Sequence, residues 1–135
     1  MTTTAGILVI THCLLGKELI NAAELILGKI NNISYVSIME TAVNEDILKT
    51  IEEKISFFRS KGDNVLILTD MFGGTPTNLS LSFLDKDIVE VVTGVNLPML
   101  IAVVSVRDQM GLSELGKIAQ EEGRRSVKMA GKLIE

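Results

Sequence analysis

Three short segments hold the residues able to do chemistry. His12, the single histidine of the chain, sits in Thr11-His12-Cys13. Asp70 opens a Gly-rich run, Asp70-Met71-Phe72-Gly73-Gly74-Thr75-Pro76. A third turn reads Thr93-Gly94-Val95-Asn96-Leu97-Pro98. A neutral imidazole nitrogen can attack phosphorus and carry a phosphoryl group covalently. The opposite ring nitrogen then needs an acceptor that fixes the tautomer and stabilises the developing positive charge, and the Asp70 carboxylate suits that role. Phosphoryl transfer otherwise asks for positioning and charge stabilisation. Backbone N–H groups of Gly73, Gly74 and Thr75 at a helix start would supply it, because a helix N-terminus carries roughly half a unit of positive charge. Glycines let the backbone come close to a phosphate, and the Thr75 hydroxyl adds a donor. Thr11, Cys13, Phe72 and Asn96 fall on the rim of such a site.

Taken singly, each feature has an ordinary structural role. A histidine at a strand end can be merely exposed, and Asp70 can cap its own loop. Gly-Gly-Thr-Pro can be a tight strand-to-helix turn. Cys13 reads as a small packing residue, with a nucleophilic thiol beside a histidine as the other reading. The case for chemistry rests on convergence at one place, and that depends on the elements.

Gly6–Ile10 is a continuous apolar run rich in β-branched residues, the pattern of a strand buried on both faces. From Leu14 to about Ile30 the spacing becomes helical, with Leu15, Leu19, Ala22, Ala23, Ile26 and Ile30 on one face. Asn31-Asn32 ends that helix. Ile33–Met39 predicts a second strand, and Asn44 an N-cap with Glu45 and Asp46 in the first helical turn. Ile47, Leu48, Ile51, Ile55 and Phe58 form the core stripe, closed by Lys61-Gly62. Val65–Leu68 is a third strand. Thr75 is the expected N-cap of a helix that Pro76 opens and that runs to about Leu84. Ile88–Val92 is a fourth strand, Leu97-Pro98 opens another helix, and a polar helix spans about Leu112–Glu122. The tail Ser126–Leu133 alternates Val127, Met129 and Leu133 against Lys128 and Lys132, which predicts a half-covered strand.

Strands alternating with helices predict an open, mainly parallel α/β sheet with helices on both faces. In such sheets ligands bind beyond the C-terminal strand ends at the topological switch point. All three segments fall there, and a 2-1-3-4 strand order would set His12 opposite Asp70. The tail strand would then be an antiparallel edge, and one that reached a second subunit would be covered.

Composition narrows the function further. The 135 residues suit one domain, residues 1–135, with 47% hydrophobic and 22% charged residues excluding a disordered chain. Lys and Arg total 13 against 17 Asp and Glu, with one Tyr and no Trp, so no nucleic-acid footprint is visible. One Cys and one His cannot build a common zinc site. Met1–Ala5 lacks the basic start of a signal peptide. No apolar run approaches the roughly 20 residues that span a bilayer, so a cytoplasmic chain is expected.

Together, Ile7–His12, Asp70–Pro76 with Asn78, and Thr93–Leu100 resemble the mannose-family (mannose/fructose/sorbose) IIA domain of the bacterial phosphoenolpyruvate:sugar phosphotransferase system. The resemblance spans essentially the whole chain. It implies that His12 accepts a phosphoryl group from the phosphocarrier protein HPr and passes it to a IIB component during carbohydrate uptake. It further implies that Asp70 supports His12 and that Gly73, Gly74 and Thr75 line the phosphate site. No metal or diffusible cofactor is expected. A homodimer with exchanged C-terminal strands is implied, touching the membrane only through IIC and IID components. The chain reads as a IIA domain with no IIB domain after Glu135. It departs from the family at Cys13, where glycine is usual. Phe72 stands for the Trp of some members, Thr75 for a common Ser and Thr77 for a common aromatic. A regulatory module phosphorylated on His12 is the alternative reading, as is the phosphotransfer subunit of dihydroxyacetone kinase. A nucleotide-binding switch protein would need a P-loop lysine motif that the chain lacks.

Overall fold

Every residue of β1 (Gly6–His12) except His12 is buried, as its apolar run requires. A computed structural model describes residues 4–134. Met1–Thr3 and Glu135, which the N-terminal and whole-chain readings include, lie outside the described residues. After β1 come α1 (Leu15–Leu27), β2 (Ile33–Ile38), α2 (Asn44–Ser60), β3 (Val65–Thr69) and α3 (Thr75–Leu81). Then follow β4 (Val89–Thr93), α4 (Leu97–Val106), α5 (Leu112–Arg125) and the single-turn α6 (Ala130–Leu133). The sheet order is β2-β1-β3-β4 and all three pairings are parallel.

Side chains alternate across the sheet and feed two cores. Ile7, Val9, Leu66 and Leu68 point to one face, where α1, α4 and α5 contribute Ile20, Ala23, Leu100, Val103 and Leu115. Leu8, Ile10, Val65 and Ile67 point to the other, against Ile47, Ile51 and Phe58 of α2. Burial on both sides is what a parallel sheet under crossover helices demands. Arg107, itself buried, donates to the Asn32 carbonyl at 3.0 Å and also to the Asn31 carbonyl. It thereby ties the end of α4 to the start of β2. Burial lowers the pKa of its guanidinium, and Asp108 and Asp63 act in the opposite sense.

Several expected elements differ in detail. The tail strand over Ser126–Leu133 is absent from this chain: residues 126–129 have no regular structure and Ala130–Leu133 form α6. A strand is stable only on a ladder partner, and no strand of the described chain pairs with this segment. The local bond from Lys132 N–H to the Met129 carbonyl, 3.0 Å, forms instead. Helix α1 stops at Leu27 rather than Ile30, because Gly28 adopts φ +84° and its N–H bonds to the Glu24 carbonyl. Its buried face contains Gly16, Ile20 and Ala23, whereas Leu15 and Ile26 are exposed. Apolar residues occur on nearly every side of α1, so the period alone selects no unique stripe. Asn44 lies inside α2 and makes no cap bond. Thr75 is the first residue of α3, so Gly74 takes the N-cap position, and α3 ends at Leu81 rather than Leu84. β1 runs on to His12 because its pairing with β2 continues to Ile38.

Gly6 packs directly under the Phe58 ring, and a Cβ there would overlap that ring. Gly6→Ala is expected to destabilise the fold by about 1–3 kcal/mol through overpacking. Urea denaturation checks this, with Phe58→Leu in the same chain recovering part of the loss.

Candidate functional site

His12 is the last residue of β1 and Asp70 follows the last residue of β3. Because β1 and β3 are neighbours, with Ile10 paired to Thr69, the two residues leave the sheet side by side. Asp70 Oδ2 accepts the His12 backbone N–H at 2.9 Å and lies 2.8 Å from His12 Nδ1. One oxygen thus holds both the backbone and the ring. A carboxylate oxygen at that distance calls for a proton on Nδ1, which leaves the lone pair on Nε2. The His12 side chain is 47% exposed and that of Asp70 11%, so the imidazole is reachable and its support is sheltered. Asp70 Oδ1 is buried without a hydrogen-bond partner among the described residues.

The Cε1–Nε2 edge of the ring lies beside the Gly-rich turn. A Cβ on Gly74 would lie 3.0 Å from His12 Cε1 and 3.7 Å from Nε2. Gly74 is therefore a matter of space, its own φ being an ordinary −85°. Gly73 is a matter of conformation: φ is +85°, and nothing lies within 4 Å of a Cβ built there. No side chain caps α3. Its first-turn N–H groups have no intrahelical acceptor, while Pro76 has no N–H to offer.

Cys13 and Thr75 line the same open hollow as His12, about 340 Å³, with Met39, Glu40 and Asn44. Cys13 has φ 51°, in the left-handed region that favours glycine, and its N–H bonds to the Ile38 carbonyl at 2.9 Å. The turn thus keeps a glycine-like backbone while presenting an exposed thiol. Phe72, 77% exposed, and Met71, 54% exposed, stand on the rim of the Gly-rich loop. Thr11 is fully buried, and its hydroxyl accepts the Gly16 N–H at 2.8 Å, closing the turn that carries His12 into α1. Asn96 serves elsewhere. Its Oδ1 accepts the Met99 N–H at 3.0 Å and caps α4, and its amide donates to the Gly123 carbonyl at 3.0 Å and to Ser126 Oγ at 3.2 Å. It does not line the His12 hollow.

Gly16, Thr69 and Thr77 support the site and were not among the residues expected from the sequence. Thr69 and Thr77 are fully buried and bonded to one another. The available signal was a pair of threonines, one on each side of the Gly-rich loop, at positions where apolar residues would be ordinary. Among the described residues no group of three or more His, Cys, Asp or Glu side chains could hold a metal ion. No helix among them is long and apolar enough to cross a membrane.

An open, parallel α/β sheet with one histidine braced by a carboxylate at its switch point defines the structural class. Comparison with known proteins defines the family. The family model described as the PTS system fructose IIA component matches residues 6–120, and the chain belongs to this mannose-type EIIA family. It is 33% identical over 128 residues to the mannose-specific EIIAB component of Escherichia coli K12, covering 93% of this chain and 39% of that protein. The chain thus spans about two-fifths of that relative. It is 31% identical over 112 residues to the sorbose-specific EIIA component of Lacticaseibacillus casei, covering 81% of this chain and 78% of that one. Among solved structures, the PTS IIA protein associated with the fucose utilization operon of Streptococcus pneumoniae superposes with a TM-score of 0.87. The two share 25% identity, and the match covers 100% of both chains.

Two substitutions separate the reasons for the glycine-like positions. Gly74→Ala should fold normally but push the imidazole by a few tenths of an ångström, and, if His12 is a phosphoryl acceptor, should lower its phosphorylation by roughly tenfold or more. Cys13→Gly should leave phosphorylation intact while changing stability by no more than about 1 kcal/mol, since relief at φ 51° opposes the added freedom of the unfolded chain. Melting temperature and phosphorylation rate, measured on both variants, check the pair.

Proposed function

We propose that this chain is a phosphocarrier of the sugar phosphotransferase system. His12 takes a phosphoryl group from phospho-HPr and hands it to a IIB component during carbohydrate uptake. The observation that carries this reading is the 2.8 Å pairing of Nδ1 with Asp70, which leaves Nε2 as the nucleophile on the open side. The Nε2 lone pair attacks phosphorus, and the bond from phosphorus to the donor atom of HPr breaks with its electron pair returning to that atom. In the onward transfer a nucleophile of the IIB component attacks phosphorus, and the bond from phosphorus to Nε2 breaks with its electron pair returning to Nε2. The Nδ1 proton stays between ring and carboxylate throughout. Asp70 balances the charge of the phosphorylated ring, while the uncapped start of α3 offers N–H groups from Gly73–Thr75 to the phosphoryl oxygens. Thr11 acts by bracing the turn, and Cys13 and Phe72 act at the rim, where a partner would touch. No cofactor enters the step. The chain works in the cytoplasm and meets the membrane only through IIC and IID components.

The homodimer belongs to the same proposal. Val127, Met129, Leu133 and Ile134 are 66–87% exposed, a cost a soluble tail does not normally carry. Beyond the bridge from Asp85 to Val89, the outer edge of β4 carries no strand partner among the described residues, and a hollow of about 370 Å³ lies between β4 and α5, bordered by Glu90, Val92, Gly116 and Lys117. The tail of a second copy laid along β4 would gain ladder bonds and bury its apolar side.

Incubated with phosphoenolpyruvate, enzyme I and HPr, the wild-type chain should gain one acid-labile phosphoryl group by intact mass. His12→Ala should gain none and should keep the wild-type melting temperature to within a few degrees. A variant that still gained the mass would place the acceptor elsewhere. Removing residues 126–135 should shift the sedimentation profile from dimer to monomer, and an intact dimer would refute the exchanged tail.

A further inference from the structure

A second set of bonds lies beneath the site and includes no residue that faces the phosphoryl position. Thr69 closes β3, Thr77 lies in α3, and both are fully buried. Their hydroxyl oxygens are 2.6 Å apart, and the Thr77 hydroxyl donates to the Met71 carbonyl at 2.5 Å. A hydroxyl has one proton to donate. With the Thr77 proton committed to Met71, the Thr69 hydroxyl must donate to Thr77 Oγ1. The chain of bonds runs from Thr69 through Thr77 to Met71, and its two ends are the residues immediately before and after Asp70.

We infer that Thr77 is a positioning residue for phosphoryl transfer, its hydroxyl clamping both flanks of Asp70 to the helix whose first turn faces His12. The inference rests on the reading of His12 as the phosphoryl acceptor and names what sets its geometry. Asp70 orients the ring through Oδ2, and Gly74 limits the ring from the other side. Both are carried on the short stretch that Thr77 ties down. One side chain therefore makes the carboxylate and the start of α3 move as one body. Burial gives the clamp its force, since water cannot replace the lost partner of the Thr69 hydroxyl. Thr69 also anchors the Thr93–Pro98 loop, because its carbonyl accepts the Val95 N–H at 2.8 Å.

Thr77→Val keeps the shape of the side chain and removes the hydroxyl, whereas Thr77→Ser keeps the hydroxyl. Two quantities decide the matter: the rate of phosphoryl uptake from phospho-HPr, and the ring ¹⁵N shifts of His12 in the unphosphorylated protein, which report the tautomer without any partner. Thr77→Val should slow uptake by roughly tenfold or more. It should also move His12 from the Nδ1–H form toward a mixture, and Thr77→Ser should restore both. A Thr77→Val protein that melts earlier yet keeps the wild-type tautomer and rate would overturn the inference, leaving Thr77 a packing residue. If Thr77→Val does not fold, Thr69→Val removes the first bond alone and should shift the tautomer in the same direction, and a wild-type tautomer there would overturn it equally. Failure of the wild-type chain to accept phosphate would sink the proposed function instead, and the tautomer would still decide the clamp.

Discussion

The site depends on one oxygen atom. Asp70 Oδ2 accepts from the backbone of His12 and pairs with its ring. Two bonds to one acceptor fix where the histidine sits and which way it points. This is possible only if β1 and β3 are adjacent and parallel, so that their C-terminal ends open side by side. The chain meets that condition by leaving β1 through α1 to β2 on one flank, then crossing by α2 to β3 on the other. The switch in winding direction leaves the crevice between the β1 and β3 loops open. The buried faces of β1 and β3 then hold the pair in register. The cost is borne at Asp70 Oδ1, buried without a partner among the described residues.

Much of this was legible in the sequence, because it follows from runs and periods. Gly6–Ile10 and Val65–Leu68 are apolar without alternation, which marks strands covered on both faces. With helices between them a parallel sheet follows, and in the order 2-1-3-4, which the structure has, His12 meets Asp70. What could not be read lay in places where the deciding partner is absent from the local pattern. Alternation in Ser126–Leu133 says that one side is apolar, but a strand also needs a ladder, and among the described residues no strand pairs with this segment. Asn96 lies in a loop at the correct end of the sheet, yet its side chain turns to cap α4 and hold the end of α5. The Thr69–Thr77 bond joins two residues that a sequence reading treats as unrelated loop and helix positions.

Cys13 shows how a glycine-like backbone conformation can be held with a side chain in place. The turn after His12 keeps φ 51°, where a side chain costs about 1–2 kcal/mol relative to glycine. The surrounding bonds hold it there: Cys13 N–H to Ile38, and Gly16 N–H to the Thr11 hydroxyl. The backbone path that delivers His12 to Asp70 is thus over-determined by its neighbours. The side chain at position 13 is left to face the hollow, beside the atoms that would do the chemistry.

In the proposed function Asp70 holds Nδ1 and thereby makes Nε2 the phosphoryl acceptor. The direct measurement is ¹⁵N and ³¹P NMR of the phosphorylated protein with its histidine ring labelled. A phosphorus–nitrogen coupling at Nε2 is expected, with Nδ1 still protonated. Phosphate on Nδ1, or on a residue other than His12, would contradict it.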